Sequence, residues 1–302
     1  MNPEKKKRKF SPLKWIVNII LIIGIILALC WWQYPNILHH IIEPMMHKET
    51  VKTSLSHQKD YDKNKKLLDG YVDQTGVNID SQNYDGRNEK LENALSNLSN
   101  QKSKNKGLPD LTYDYGNVKP FNENDWKNIS QKYDPRLLVG HIRIPAIDVN
   151  LPVLEGVSNV NLYRGAGTLK PYQQLGKGNY ALASHHMPDE YSNFSRLAAL
   201  QKGNKIYVSS SKYIYVYRVK SVENLPNDAG YVVNDVPGKT LITLVTCSDI
   251  RATSRIVVQG TYEGKLPLKS NIGQKYFSYW CLIVKWVIDL CWLLIFFLLQ
   301  ID

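Results

Sequence analysis

The hydrophobic positions of the chain fall into three patterns. Two long apolar runs lie near its ends, at 15–32 and 280–299. Between them, residues 35–130 are dense in Asn, Lys, Asp, Ser and Gln. From about residue 133, short apolar runs alternate with Gly, Pro and Asn turns. Each pattern predicts a different kind of structure.

The short apolar runs predict a β domain at 131–268. Runs rich in β-branched and aromatic residues predict strands, and they lie at 137–145, 149–156, 179–186, 205–210, 212–222, 240–247 and 255–263. The segments "SNVNLYRG" and "FSRLAALQKG" predict short helices between strands. About seven or eight strands at this short spacing are typical of a closed barrel or a sandwich.

The first long run predicts a transmembrane signal-anchor at 15–34. Its 18 residues, of which only Asn18 is clearly polar, just cross a hydrocarbon core at about 1.5 Å of rise each. Residues 1–14 carry six basic side chains against Glu4, which predicts a basic cytoplasmic tail and an extracytoplasmic remainder. No small-residue cleavage site follows the run, so we favour an uncleaved anchor of a single-pass membrane protein over a cleaved signal peptide.

The second long run, at 280–299, allows two interpretations. Its aliphatic and Phe residues favour membrane insertion, whereas Lys285 and Asp289 oppose it, and the sum is near zero. The two charges are four residues apart, so they can pair on one helix face. The segment is either a second transmembrane helix or a helix that lies on the membrane surface.

The polar stretch 35–130 predicts an extracytoplasmic spacer that is largely disordered or helical. Within it, "EKLENALSNLSN" has leucines at helical spacing. The formal net charge of +11 is not one basic patch, because part of it belongs to the cytoplasmic tail. No arginine-rich stripe or Cys/His finger indicates nucleic-acid binding, and we expect an anionic envelope and membrane lipid as surroundings.

The cysteines separate by location. Cys30, Cys281 and Cys291 lie inside the apolar segments, which leaves Cys247 as the only cysteine of the predicted water-exposed part. An unpaired cysteine in an exported domain is either a buried structural thiol or a reactive one. A cysteine nucleophile also needs a group that transfers its proton and a group that stabilises an oxyanion.

Candidates for both roles stand at predicted strand ends. His185 and His186 follow the strand "NYALAS", and Arg255 begins the strand after Cys247. The loop "SDIRATS" is short enough to bring the cysteine and the arginine together. Either histidine can serve on these grounds, because successive strand residues point to opposite faces. Spacing permits the cluster without establishing it.

These residues resemble the signature of the sortases, membrane-anchored cysteine transpeptidases of Gram-positive bacteria. The signature is a T-L-x-T-C strand, an arginine that starts the next strand and a histidine that ends an earlier one. Here "TLVTC" ends at Cys247, "ALASHH" supplies the histidine and "ATSRIVVQG" the arginine. The similarity runs from about Val139 to Gly264. It implies a mainly β fold, a closed eight-stranded sortase-type β-barrel with short helices.

The resemblance also implies roles. Cys247 would attack the Thr–Gly carbonyl of an LPXTG-like sorting signal on a surface protein, and Arg255 would hold substrate and oxyanion. His185, which follows A-S as in the family, would protonate the leaving amine and later accept a proton from the incoming one. That amine would come from a lipid-linked peptidoglycan precursor. The residues implied for the peptide groove are Leu162, Arg164, Ala183, Val245, Thr246 and, in support, His186. For the apolar ones among them, ordinary barrel core is the alternative.

No cofactor is expected. Some sortases bind calcium through acidic residues before the histidine strand, but here that loop reads "AGTLKPYQQLGKGN" and has no carboxylate.

The N-terminal anchor and "LASHH" favour the housekeeping class A type. The apolar C-terminal segment favours the pilin-polymerising class C, whose lid carries a D-P-aromatic motif that is not found here. Two further hypotheses are a cysteine hydrolase and a non-catalytic barrel that binds the cell envelope.

Overall fold

The barrel dominates the part of the chain that the structure describes. This computed structural model describes residues 57–84, 86, 88–100, 111–120, 131–249 and 251–268, together with Gly24. The strands are β1 (Leu138–Ile144), β2 (Val149–Leu154), β3 (Ala166–Thr168), β4 (Asn179–Ala183), β5 (Lys205–Ser209), β6 (Tyr213–Leu225), β7 (Leu241–Cys247) and β8 (Arg255–Pro267). They close in the order β1-β2-β3-β4-β7-β8-β6-β5, which confirms the predicted closed eight-stranded barrel.

Strand β3 is the strand that the hydrophobic pattern did not predict. Its sequence "AGT" has no apolar run, yet all three residues are buried. It pairs with both β2 and β4. A Cβ at Gly167 would stand 2.4 Å from the carbonyl oxygen of Gly156, so this close approach requires glycine.

The pairing of β4 with β7 determines where functional groups meet. The two strands are parallel, with Asn179 opposite Leu241 at one edge and Ala183 opposite Val245 at the other. Both strands are buried along their whole length. Because parallel strands end at the same edge, the residues that follow β4 lie beside the last residues of β7. We call this edge the cysteine end of the barrel, and the edge where β4 and β7 begin the basal end.

Three α-helices accompany the barrel in the described residues: α1 (Gln58–Gln74), α2 (Glu89–Asn100) and α3 (Asn159–Arg164). The first two lie in the stretch predicted as a spacer. Helix α1 packs against β1, and its Asn64 Nδ2 donates to the carbonyls of Pro135 at 2.9 Å and Leu138 at 2.8 Å. Its Leu68 and Val72 are fully buried, so this part of the stretch belongs to the hydrophobic core.

The predicted membrane segments fall outside the described residues, apart from Gly24. This holds for the basic tail at 1–14, the rest of the anchor at 15–34 and the run at 280–299. Among the helices that the structure does describe, none combines the length and the apolar character needed to cross a bilayer.

Candidate active site

Cys247 and Arg255 face each other across the β7–β8 ladder. Cys247 is the last residue of β7, Arg255 is the first residue of β8, and the two are direct partners in the antiparallel register. The loop between them is closed by the Ser248 amide, which donates to the Ser254 carbonyl at 3.0 Å. The predicted proximity of thiol and guanidinium therefore follows from strand register.

His185 lies just beyond the end of β4, next to the end of β7. The preceding residue, Ser184, donates its amide to the Val245 carbonyl at 3.2 Å, and its own carbonyl accepts from Thr246 Oγ1 at 2.9 Å. These two bonds continue the β4–β7 pairing past the strand end. The His185 ring is 1% exposed and packs on Tyr163, with ring centroids 4.3 Å apart.

A segment at 111–120, which we call the strap, contains a 3-10 turn at Tyr115–Asn117 and lies over the same end of the barrel. Its Tyr113 donates its hydroxyl to Glu155 Oε1 at 2.9 Å and its amide to Glu92 Oε1 at 2.9 Å. Thr112 Oγ1 donates to Glu92 Oε2 at 2.5 Å. The strap is therefore fastened both to helix α2 and to the residue that follows β2.

Two consecutive carbonyls of the strap contact all three predicted catalytic side chains. The Val118 oxygen accepts from Arg255 Nη2 at 2.6 Å and lies 3.7 Å from Cys247 Sγ. The Lys119 oxygen lies 2.8 Å from His185 Nδ1. Because neighbouring residues of a chain lie only about 3.8 Å apart, these three side chains gather around one short piece of peptide backbone.

The electrostatics of this closed arrangement keep the thiol protonated. Cys247 is fully buried, and burial raises its pKa above the ordinary value. The nearby Arg255 guanidinium opposes the shift, Asp249 adds to it, and burial prevails. Within the described residues, no carboxylate pairs with Arg255, whose hydrogen bonds all go to neutral oxygens. The guanidinium therefore keeps its full charge close to the sulfur.

The apolar residues predicted for the groove surround the site from the core side. Leu162, Ala183 and Val245 are fully buried. Val245 shares a face of β7 with Cys247, since alternate strand residues point the same way. The carbonyl of Leu162 accepts from the His185 amide at 3.4 Å. These residues position the strand ends and the histidine backbone.

The polar residues predicted for the groove each make a different contact. Thr246 lies on the other face of β7 from Cys247, and its hydroxyl ties that strand to Ser184. His186 forms a β-bridge with Asn193. Arg164 donates through Nε to the Gln131 carbonyl at 2.7 Å, at an exposed position. None of these three contacts joins the cluster around Val118 and Lys119, so the groove roles stay predictions.

At the basal end, the loop before β4 places a lysine side chain, that of Lys170, in the interior. Lys170 is 2% exposed and donates to Asp235 and, at 3.0 Å, to the Val233 carbonyl. Burial lowers the pKa of Lys170, opposed by Asp235. Burial alone would raise the pKa of Asp235, but the bonds from Lys170 and the Asn179 amide hold it below the usual value. The Asp235 carboxylate is therefore ionised at neutral pH.

This ion pair bears on the expected lack of calcium binding. No group of three or more metal-ligating side chains occurs among the residues that the structure describes. In addition, the Asp235 carboxylate beside this loop is already neutralised by the Lys170 ammonium group. Calcium independence at this loop stays a prediction, now with a physical basis.

Sequence reasoning missed two parts of the site, the strap and Asn227, which accepts from Arg255 Nη1 at 2.9 Å. The strap did leave a signal: "LTYDY" alternates apolar and polar residues, and its apolar members Leu111, Tyr113 and Tyr115 are buried. Asn227 left none, because its contact depends on how the loop after β6 is placed.

Comparison with known proteins shows which family the chain is similar to. The family model for the sortase domain matches residues 142–263, a range that contains the cysteine, histidine and arginine. Sortase A of Streptococcus agalactiae is 36% identical over 169 residues, covering 54% of this chain and 66% of the relative, just under two thirds. Sortase A of Listeria monocytogenes is 34% identical over 169 residues, covering 56% of this chain and 76% of the relative.

The chain belongs to the sortase family. Its similarity to these Sortase A proteins makes it a class A-like sortase, as the resemblance implied. Among solved structures, that of Listeria monocytogenes sortase A is 37% identical, covers 47% of this chain and 97% of its own, and gives a TM-score of 0.44.

Proposed function

We propose that this sortase is a transpeptidase that cleaves an LPXTG-like sorting signal between Thr and Gly and transfers the acyl group to an amine of a lipid-linked cell-wall precursor. One observation carries the proposal. The peptide carbonyl oxygen of Val118 accepts from Arg255 Nη2 and lies 3.7 Å from Cys247 Sγ. Acyl transfer requires a nucleophile and a charged donor for the oxyanion at the same carbonyl.

In the first half-reaction, the substrate takes the place of the strap carbonyls. Cys247 gives its proton to His185 and its sulfur attacks the Thr carbonyl carbon, while Arg255 stabilises the negative oxygen of the tetrahedral intermediate. The C–N bond then breaks and His185 donates a proton to the departing glycine amine. A thioester between Cys247 and the Thr carbonyl remains.

In the second half-reaction, the amine of the precursor attacks the thioester carbon. His185 accepts a proton from this amine, the new C–N bond forms and the C–S bond breaks. The sulfur of Cys247 leaves and takes the proton from His185, which returns both groups to their starting state. The product is a surface protein joined by an amide bond to the precursor, and no cofactor takes part.

The strap must leave the site before a substrate enters. It occupies the positions at Cys247, His185 and Arg255 that the substrate carbonyls need, so substrate and strap exclude each other. A segment over the cysteine is also what the resemblance implies for class C sortases. The strap contains no D-P-aromatic motif, however, and both relatives described above are Sortase A proteins. These points support the class A activity.

The proposed location follows the predicted anchor. With residues 15–34 in the membrane and the N-terminus inside, the barrel would lie outside the cell beside its surface-protein substrates and the lipid-linked precursor. Membrane lipid is then a partner of the anchor rather than of the barrel.

The test uses the full chain in detergent micelles with a fluorogenic LPXTG peptide, with and without a soluble amine such as triglycine. We expect cleavage by the wild type and an amide product when amine is present. Cys247→Ala should abolish both, whereas Cys281→Ala, at a cysteine outside the signature motif, should abolish neither. Cleavage that survives Cys247→Ala would rule out the nucleophile. A product that is hydrolysate alone, at any amine concentration, would make the protein a hydrolase.

A further inference from the structure

We propose that Asn227 is a positioning residue that fixes the guanidinium of Arg255 for the reaction, an inference that rests on the proposed function. Its side-chain oxygen Oδ1 accepts from Arg255 Nη1 at 2.9 Å. Its side-chain nitrogen Nδ2 donates to the Ala252 carbonyl at 2.7 Å. A single amide group therefore joins the arginine, the loop after β6 and the loop between β7 and β8.

The barrel register brings Asn227 to this place. Arg255 is the partner of Cys247 on one side and of Leu225, the last residue of β6, on the other. Asn227 comes two residues after Leu225. It therefore approaches the guanidinium from the β6 side, whereas the thiol lies on the β7 side.

The contacts of Arg255 divide its guanidinium into two halves. Nη1 donates to Asn227 Oδ1 and, at 3.4 Å, to the Ser254 carbonyl, both within the barrel rim. Nη2 donates to the strap carbonyl of Val118, where we place the substrate. Since the guanidinium is a rigid plane, holding Nη1 also fixes the direction of Nη2. Arg255 is 6% exposed, so bulk water contributes little to this orientation.

An amide suits this position better than a carboxylate. It offers one acceptor to the arginine and one donor to the Ala252 carbonyl, whereas an ionised Asp would present only acceptors to both. A carboxylate would also neutralise the cation that has to stabilise the oxyanion. Ala252 has a left-handed backbone with φ of 51°, uncommon for a residue other than glycine, and the bond from Asn227 helps to hold it.

The bond to Ala252 also fits a purely structural role, in which Asn227 only staples two loops together. If Asn227 only joined the two loops, its removal would change stability and loop shape to the same extent whichever residue stands at position 255. A positioning residue acts through Arg255, so its effect should vanish once the guanidinium is gone. A double-mutant cycle separates the two roles.

The first experiment measures kcat and KM on the LPXTG peptide for full-length wild type, Asn227→Ala and the isosteric Asn227→Asp. Asn224→Ala, at an exposed residue of β6, is the matched control. We expect kcat to fall about tenfold in both Asn227 variants with KM changed less than about twofold, because the arginine contact matters most in the transition state. Adding Asn227→Ala to Arg255→Lys should cause no further loss. Unchanged kcat in Asn227→Ala, or a full tenfold loss in the Arg255→Lys background, would overturn the proposal.

The second experiment needs no peptide. The rate at which iodoacetamide alkylates Cys247 is followed against pH by mass spectrometry of the cysteine-containing fragment. Burial and Asp249 raise the pKa of the thiol, and Arg255 lowers it. Releasing the guanidinium should therefore move the midpoint upward in Asn227→Ala and leave it in place in Asn224→Ala. An unmoved midpoint in Asn227→Ala would overturn the positioning role. If the wild type does not cleave the peptide, the proposed function fails, whereas this profile still decides about Asn227.

Discussion

The two ends of the barrel each bury a cation, and they treat it differently. At the basal end, Lys170 is 2% exposed and pairs with the Asp235 carboxylate. At the cysteine end, Arg255 is 6% exposed and, among the residues that the structure describes, hydrogen-bonds only to neutral oxygens, those of Val118, Asn227 and Ser254. Lys170 therefore has a counter-ion within the fold, whereas Arg255 is held in place by neutral groups alone.

This difference separates a structural cation from a chemical one. A buried charge with a fixed counter-ion serves to hold the chain together, and removing one partner is costly. A buried charge held by carbonyls and an amide remains available to a developing negative charge. One of its partners, the strap carbonyl, also belongs to a segment that a substrate can replace. The predictions below test this contrast.

The largest effect is expected at the cysteine end, from Arg255→Lys. Lysine keeps the charge but loses the planar fork, so it cannot contact Asn227 and a substrate oxygen with the same geometry. We expect kcat/KM for the peptide to fall about 10²- to 10³-fold, as for the loss of an oxyanion donor. The melting temperature should change little. A variant that keeps wild-type kcat/KM would show that charge alone is sufficient.

The corresponding change at the basal end is Asp235→Asn, which removes the negative charge of the Lys170 counter-ion. It leaves the Lys170 ammonium buried without a counter-ion, and we expect a loss of about 2–3 kcal/mol in the free energy of unfolding, at the low end for a broken pair because the Asp235 side chain is 26% exposed. Denaturant titration measures this loss. The kcat of the folded fraction should be unchanged.

Removing both charges refines this prediction. Lys170→Met combined with Asp235→Asn should be more stable than Asp235→Asn alone, because no unpaired charge is left in the interior. A double variant that is less stable than the single one would contradict the idea that the ammonium is the source of the cost.

A smaller effect is expected from loosening the strap with Thr112→Val. The change removes the hydroxyl that bonds Glu92 and that accepts from Asn117 Nδ2 at 3.1 Å. A lost hydrogen bond costs about 1 kcal/mol, so Cys247 should be alkylated roughly fivefold faster and KM should fall. Thr261→Val, at an exposed position of β8, serves as control. Equal alkylation rates in Thr112→Val and wild type would show that the strap does not limit access.

The smallest expected effect concerns pH. Burial raises the pKa of the Cys247 thiol, so the thiolate is scarce at neutral pH and grows as pH rises. Alkylation of wild-type Cys247 should therefore increase with pH, with a midpoint above that of an ordinary cysteine. Thr112→Val should lower that midpoint, because opening the strap admits water and weakens the cause of the shift. A wild-type midpoint below the ordinary value would mean that Arg255 outweighs burial.

The barrel and the central residues of the site were predictable because local patterns encode them. Runs such as "TLITLVTC" signal buried strands whatever surrounds them, and the motif places Cys247 and Arg255 at the two ends of one short loop. Register then makes them partners. His185 followed from the resemblance, and its side chain does join the cluster through Lys119.

The strap and Asn227 were not predictable because their roles depend on long-range placement. The stretch around Val118 has no periodicity that says where it docks, and most of its neighbours in sequence are polar. Asn227 lies in a turn-like "PND" stretch, and only the closing of β6 against β8 brings its amide to Arg255. The missed strand β3 has a similar cause, since its position is dictated by strands on both sides.

The parallel pairing of β4 with β7 has a consequence for how activity arises during folding. These strands are neighbours in the barrel, yet β5 and β6 lie between them along the chain. Contacts between distant parts of a chain are slow to form, because the intervening loop must first be closed. We therefore expect a newly made chain to pair Cys247 with Arg255 across their short loop before His185 arrives beside them. The three side chains come together only when the barrel closes, so the complete site is among the last features of the fold to form.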